Sequence, residues 1–423
     1  MIENYLKIAI AVLLRRKFLT FVNLFGTVLT LTTLVVAFAL LESIVSPAGA
    51  QRRHDHVLAI QDVWFSNGKT QLEWGVGVGA GFYARYIEPL RTPDAVSFTL
   101  APRLEASYVD GRKITMQVRR TDANYWRILD FDLRAGRLLS ADDVAAGRFV
   151  AVINEATAQS FFGTESPLGK FLTVDRQSFE VVGVVANEPE TSRLAFADVW
   201  VPLTATHSTA YQQEWLGSGQ ALLYVEDPGR LGAVREEFSA LLERFEYTPD
   251  PTQYDQASAA AETPLEALAA YSIRALRKGP GPKGSGPAYV AAFVGLLVGA
   301  ALLFMALPAI NMANLNIGRI LERAPEIGLR KATGASTRVL VGQFVFENIV
   351  LVALGGLIGF AVAPLVLGMF NEVFTYGQLR LNGRVFVAGL AFVVVFGVLS
   401  GIYPAWKMAR LEPAAALRGQ QHV

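Results

Sequence analysis

The sequence predicts an α-helical membrane protein with four transmembrane helices and a large α/β extracytoplasmic domain. Three observations predict it: four long uncharged blocks, an uneven placement of basic residues, and roughly 240 residues of mixed strand and helix patterning between the first two blocks. The chain has 423 residues, 52% of them hydrophobic, and its 38 basic and 37 acidic side chains nearly cancel. That balance gives no reason to expect a nucleic-acid partner.

The uncharged blocks run from Phe18 to Leu41, Gly284 to Gly318, Asn348 to Asn371 and Val385 to Trp406, the last and shortest holding 22 residues. At about 1.5 Å per helical residue such a run reaches about 33 Å, enough to cross a hydrocarbon core. The first block follows Arg15-Arg16-Lys17 as a signal peptide would. Its apolar run exceeds a typical signal core, so an uncleaved anchor is expected. Residues before it, with Ile2, Leu6, Ile10 and Leu13 among Lys7 and Arg15, suit an amphipathic helix along the inner membrane face. A cytoplasmic extension of the first span is the alternative.

Basic residues orient the spans. Lys7, Arg15, Arg16 and Lys17 precede the first; Arg319, Arg323, Arg330, Lys331 and Arg338 follow the second; Lys407, Arg410 and Arg418 follow the fourth. Only Arg380 and Arg384 lie between the third and fourth. The positive-inside rule then puts both termini in the cytoplasm and the long segment outside. The expected organisation is a helix at 1–17, spans at 18–45, 288–318, 344–371 and 385–406, and an outer domain at 46–287. A cytoplasmic loop at 319–343, a short outer loop at 372–384 and a cytoplasmic tail at 407–423 complete it. The absence of cysteine is compatible with an oxidising compartment.

In the outer domain, Val57 to Phe65 and Ala95 to Leu100 read as strands around a helix at Phe82 to Leu90. Ala221 to Val225 reads as a strand, followed by helices at Leu231 to Phe245 and Pro264 to Leu276. Between these groups, Lys113 to Val118, Phe149 to Ile153, Phe171 to Val174 and Phe179 to Val185 read as strands, with a short helix at Ala156 to Phe162. The simplest architecture is a split α/β subdomain with a β-rich insertion from about 103 to 203. Residues 279–287, rich in glycine and proline, form a linker.

Between the second and third spans lies a polar element, Pro325-Glu326-Ile327-Gly328-Leu329-Arg330-Lys331-Ala332-Thr333-Gly334-Ala335-Ser336. Pro325 fits the first helical position, Gly334 the left-handed stop, and Ser336 the cap of the next helix. Glu326 and Arg330 stand four apart on one helical face. Docking competes with a solvated loop whose charges only enforce topology, and length and capping favour docking. Glu347 is either a tie to a neighbouring basic residue or an interfacial carboxylate. Gly295 with Gly299, and Gly355-Gly356 with Gly359, are small-residue pairs that could let helices of a dimer approach closely. His54-Asp55-His56 lacks a third ligand nearby and reads as the entry to a strand rather than a zinc site. No catalytic arrangement of serine, histidine or carboxylates stands out.

Three groups of residues resemble MacB/FtsX-type ABC transporter permeases over nearly the whole chain. One is Glu326 to Arg330 followed by Gly334-Ala335-Ser336, with Glu347 downstream. Another is Gly401-Ile402-Tyr403-Pro404-Ala405 with Ala409 to Pro413 and Ala416-Leu417-Arg418. The third is Ala123-Asn124-Tyr125-Trp126, Ala135-Gly136-Arg137, Val152-Ile153-Asn154-Glu155 and Pro167-Leu168-Gly169-Lys170, similar to the periplasmic core domain.

The resemblance implies a non-catalytic permease of the bacterial inner membrane, working by mechanotransmission. Residues 326–331 and 334–336 would contact a cytoplasmic ABC ATPase subunit, supported by Glu347, Tyr403, Pro404, Arg410, Pro413 and Leu417. It implies a second permease, as a homodimer or heterodimer, and for export a periplasmic adaptor and outer-membrane channel. No cofactor is expected on this chain; ATP and Mg would bind the partner ATPase, since no Walker A run occurs here and Gly163 to Lys170 ends in Phe171. Arg323-Ala324-Pro325 departs from the family's basic-rich lead, and 186–285 matches it only loosely. Efflux of a small molecule or peptide is the expected output. Lipoprotein extraction and signalling to a cell-wall hydrolase or sensor kinase are the alternatives.

Overall fold

The structure is a computed structural model. It describes residues 17–45, 49–68, 72–109, 111–206, 210–247, 253–277, 288–300 and 336–373, with isolated positions at 302, 303, 329, 334, 379 and between 383 and 398. The described residues form two compact units, one of apolar helices and one built from the described residues between 42 and 294.

The second unit is organised on a 14-stranded mixed sheet. Its strands are β1 (Val57–Ile60), β2 (Asp62–Asn67), β3 (Leu72–Val78), β4 (Ala95–Leu100), β5 (Arg103–Val109), β6 (Arg112–Thr121) and β7 (Leu133–Gly136). They continue as β8 (Val150–Asn154), β9 (Phe171–Val174), β10 (Gln177–Val185), β11 (Val199–Pro202), β12 (Leu216–Gly217), β13 (Gly219–Tyr224) and β14 (Gln256–Ala259). The main path runs β14-β2-β3-β13-β4-β6-β11-β8-β10-β7. Strands up to β4 and from β12 onward pair with one another, and β5 to β11 pair with one another. The two groups meet only at Thr99 opposite Thr121.

Three apolar clusters explain why this sheet holds as one body. One lies under β1 to β4 and β13, around Phe65, Phe82 and Phe238. A second lies under β8 to β11, around Phe179, Val181 and Ile153. The third joins residues of both groups, with Val57 and Leu222 sharing it with Tyr125, Trp126 and Trp200. Two inserted aromatics, Trp126 and Phe131, have ring centroids 4.8 Å apart. The halves therefore meet through one backbone pair but share a core, and burial of that core opposes their separation.

Local rules account for the elements. β8 is apolar except for Asn154 and fully buried, as a strand covered on both faces should be. β10 alternates buried and exposed residues over its first five positions. The expected single strand from Val57 to Phe65 is two, because β1 pairs with β13 while β2 pairs with β3 and β14. The helix Leu231–Leu242 buries Val234 and Phe238, four residues apart on one face.

Among the described residues of the first unit, two helices are long and apolar enough to cross a membrane, with candidate spans at Thr20–Ser43 and Val345–Val373. A shorter apolar helix covers Ala288–Ala300. Most of the remainder of the second expected span, and most of the fourth, lie outside the described residues.

Candidate functional site

Of the polar element expected to dock a partner, the structure describes Leu329, Gly334 and Ser336; Glu326, Ile327, Gly328, Arg330, Lys331 and Ala335 lie outside the described residues. Leu329 is helical and exposed. Gly334 has φ +97°, the left-handed conformation expected of a helix stop. Ser336 precedes the helix Thr337–Val373, and the Val339 amide donates to its carbonyl at 3.1 Å and its Oγ at 3.4 Å. A positive-φ glycine and the serine that accepts from the next helix thus stand two residues apart.

The helix that Ser336 begins has 37 residues, so at about 1.5 Å per residue it is about 55 Å long. That exceeds a hydrocarbon core of about 30 Å. Its membrane-length stretch starts only at Val345, leaving the first two turns, with Arg338 and Gln343, outside that stretch. Just inside it, the buried Glu347 accepts a hydrogen bond from Gln343 Nε2 at 3.2 Å. Of the two readings of Glu347, the structure adds a partner neither named: a glutamine one turn back on the same helix.

Gly355, Gly356 and Gly359 make close contacts within the chain itself. A Cβ at Gly355 would lie 2.7 Å from Thr27 Cγ2, one at Gly356 2.5 Å from Leu390 Cδ1, and one at Gly359 3.4 Å from Leu31 Cβ. These glycines let the third helix approach the chain's own first helix and Leu390. Gly295 and Gly299 have nothing within 4 Å among the described residues. Tyr403, Pro404, Arg410, Pro413 and Leu417 lie outside the described residues.

The outer-domain motifs act as fasteners. Tyr125 donates to the Leu194 and Ala195 carbonyls at 2.9 and 3.2 Å, and Asn124 to the Val96 carbonyl at 2.8 Å. Gly136 has φ +73°, and the Arg137 amide donates to Val182 at 2.9 Å. Asn154 caps the following helix by accepting from the Thr157 amide at 2.7 Å and donates to Asp198 at 3.0 Å. Gly169 and Lys170 exchange backbone bonds with Val181. None of these groups converges on a ligand-sized space.

Two buried charged side chains, Arg119 and Glu188, and the half-buried Asp122 have no signal in the sequence because tertiary contacts create their surroundings. Asp122 accepts from Ser97 Oγ at 2.7 Å and the Phe98 amide at 2.8 Å, tying the insertion to β4; burial raises its carboxyl despite these donors. Arg119 is fully buried, its Nη2 2.8 Å from the Arg193 carbonyl, and burial lowers its guanidinium. Glu188 is buried against the segment that follows the first apolar helix. An open cleft of about 280 Å³ also lies in this unit, lined by Phe98, Arg103, Arg120, Asp175 and Tyr211. Asp175 and Arg176 both have positive φ, in the tight turn joining β9 and β10.

No cluster of metal-ligating side chains occurs among the described residues. His54-Asp55-His56 is a single 3₁₀ turn entering β1, and His56 Nδ1 lies 3.0 Å from the Val225 carbonyl.

Residues 20–241 match the MacB-like periplasmic core domain, and residues 287–413 match the FtsX-like permease C-terminal domain. The chain belongs to the MacB/FtsX-type ABC transporter permeases. It is 30% identical over 311 residues to the macrolide export ATP-binding/permease protein MacB of Azoarcus sp. (strain BH72), covering 71% of this chain and 42% of that protein. It is 24% identical to the ABC transporter permease YknZ of Bacillus subtilis (strain 168), covering 74% of each. Against the crystal structure of the periplasmic region of MacB from Actinobacillus actinomycetemcomitans, the identity is 14% and the TM-score 0.35, over 54% of this chain and 94% of that one. The chain spans about two-fifths of the length of the MacB relatives it matches.

Proposed function

We propose that this chain is a four-span permease subunit that couples ATP binding and hydrolysis on a separate ATPase subunit to movement of its outer domain. The movement drives efflux of a small molecule or peptide from the periplasm. The permease works as a homodimer or heterodimer in the inner membrane, with both termini cytoplasmic, and residues 326–336 dock in the ATPase. For export, a periplasmic adaptor and outer-membrane channel complete the path. ATP and Mg act on the partner.

One observation carries this reading: a single helix runs from the Ser336 cap into the membrane-length stretch, so force applied at its start has an unbroken path inward. The ladder has one interruption, Pro364, which lacks a backbone donor, so the part from Thr337 up to it is what passes on a push as a rod. The similarity to a protein named for macrolide export supports efflux. The FtsX-like match at 287–413 also fits lipoprotein extraction or signalling to a cell-wall hydrolase or sensor kinase.

The test is Gly334→Trp. A bulky residue at φ +97° distorts the stop between docking element and helix. The variant is expected to insert normally and to lose ATPase co-purification and ATP-dependent export. Wild-type export by this variant would defeat the docking assignment.

A further inference from the structure

The carboxyl of Glu188 is 1% exposed. Its Oε1 accepts the Ala50 amide at 2.9 Å, while its Oε2 is buried with no hydrogen-bond partner among the described residues. Burying an unpartnered carboxylate oxygen is costly, and the cost falls when the group is neutral. Gly49 covers it: at φ +71°, a Cβ there would lie 2.6 Å from Oε2 and 2.7 Å from Oε1. Glycine is required at that position both by conformation and by space.

The same segment is fastened twice more. The Ala50 carbonyl accepts from the Asp130 amide at 2.9 Å, and Arg52 Nε pairs with the Asp130 carboxylate at 3.2 Å. Three residues separate Gly49 from Val45, where the first apolar helix ends. Residues 49–52 are therefore the first part of the outer domain that the chain reaches on leaving that helix.

We propose that Glu188 is a positioning residue that works as a proton-operated catch on this segment. Protonated, it stays buried on Ala50; on losing its proton to solvent, the carboxylate withdraws toward water and releases residues 49–52. The groups facing it are Arg52 on the segment itself, Asp132 on the following loop and Tyr125 beneath. Burial raises Glu188 to about 7, opposed by the Ala50 amide and Arg52 and reinforced by Asp132. Burial pushes the Tyr125 hydroxyl up to about 12, so it stays neutral throughout. The folded state thus holds a proton that the unfolded chain releases near the ordinary glutamate value. The stabilisation is complete below that value and is lost as pH rises through about 7.

Hydrogen–deuterium exchange on the full chain in lipid nanodiscs, from acidic to mildly alkaline pH, tests this without any ATPase. Its failure is therefore separate from failure of the transport reading. Corrected for intrinsic rates, exchange in the 49–52 peptide is expected to rise by roughly tenfold or more through neutrality, while the β1 peptide stays flat. Glu188→Gln keeps the acceptor, cannot ionise, and is expected to abolish the step. A flat wild-type profile overturns the proposal. So does a step that survives Glu188→Gln, which would belong to another group. If that variant does not fold, Asp132→Asn removes the charge that reinforces the shift and is expected to move the step to lower pH; an unmoved step overturns the proposal.

Discussion

In the outer domain Gly136 adopts φ +73°, and a Cβ there would lie 2.2 Å from the Val182 carbonyl oxygen. In the apolar helices Gly355 and Gly356 have ordinary helical backbone, and a Cβ would instead meet side chains, Thr27 at 2.7 Å and Leu390 at 2.5 Å. The outer domain uses this glycine to bend its backbone against a neighbouring strand. The helices use theirs to come close. The polar contacts differ in the same way. Asp122, Asp198 and Arg119 bond to backbone groups of distant segments, whereas Thr30 bonds Gly26 and Gln343 bonds Glu347 within their own helices. Glycine thus serves backbone geometry in one unit and helix contact in the other.

The strongest break of this contrast is Gly136→Val. Left-handed strain and a backbone clash add, costing about 3 to 5 kcal/mol. The tryptophan-monitored melting temperature of the outer domain is expected to fall by roughly 10 °C or more. An unchanged melt would mean that the β7–β10 contact is looser than described.

Gly355→Leu is expected to cost about 1 to 3 kcal/mol by forcing the first and third helices apart, with the outer-domain melt unchanged. The chain has no cysteine, so a single Leu31→Cys reports on this contact alone. Its alkylation is expected to speed by about tenfold in the Gly355→Leu background. Equal rates would return these glycines to a contact between protomers.

The smallest effect separates two buried carboxyls of opposite sense. Burial pushes Asp143 upward, but Arg137 and the Ser140 donors outweigh it and hold the carboxyl well below the usual range. Its contribution is present above the ordinary aspartate value and lost as pH falls, the reverse of Glu188. Asp143→Asn is expected to flatten the acid limb of the stability profile by about 1 kcal/mol, the partner arginine being half exposed. An acid limb identical to wild type would show that Arg137 does not hold this carboxyl.

The sequence was legible where one strand or helix carries its own signal. Val150 to Ile153 are apolar without interruption, and Val234 and Phe238 repeat at helical spacing. β3 was missed because Gly75 and Gly77 break its pattern, and the bulk that explains Gly75 is Trp64 on the neighbouring strand. β14, Gln-Ala-Ser-Ala at 256–259, has almost no apolar signal and owes its form to pairing with β2. The capping box at Ser140 and Asp143 was readable from spacing alone but passed unnoticed. At the site, the positive φ of Gly334 and the bond that Ser336 accepts were legible because both are local. The burial of Glu188 was not, because its partner Ala50 is 138 residues away.

The chain enters the block from β5 to β11 at Leu100 and leaves it at Leu203, whose amide is bonded to the Thr121 carbonyl. The host ladder from β13 to β4 runs through six pairs from Gly219–Leu100 to Tyr224–Ala95 without using any residue of that block. Entry and exit lie beside each other at one strand pair. A change within the block therefore leaves the host's backbone ladder untouched, whereas the core that Val57 and Leu222 share with Tyr125, Trp126 and Trp200 has to be refilled.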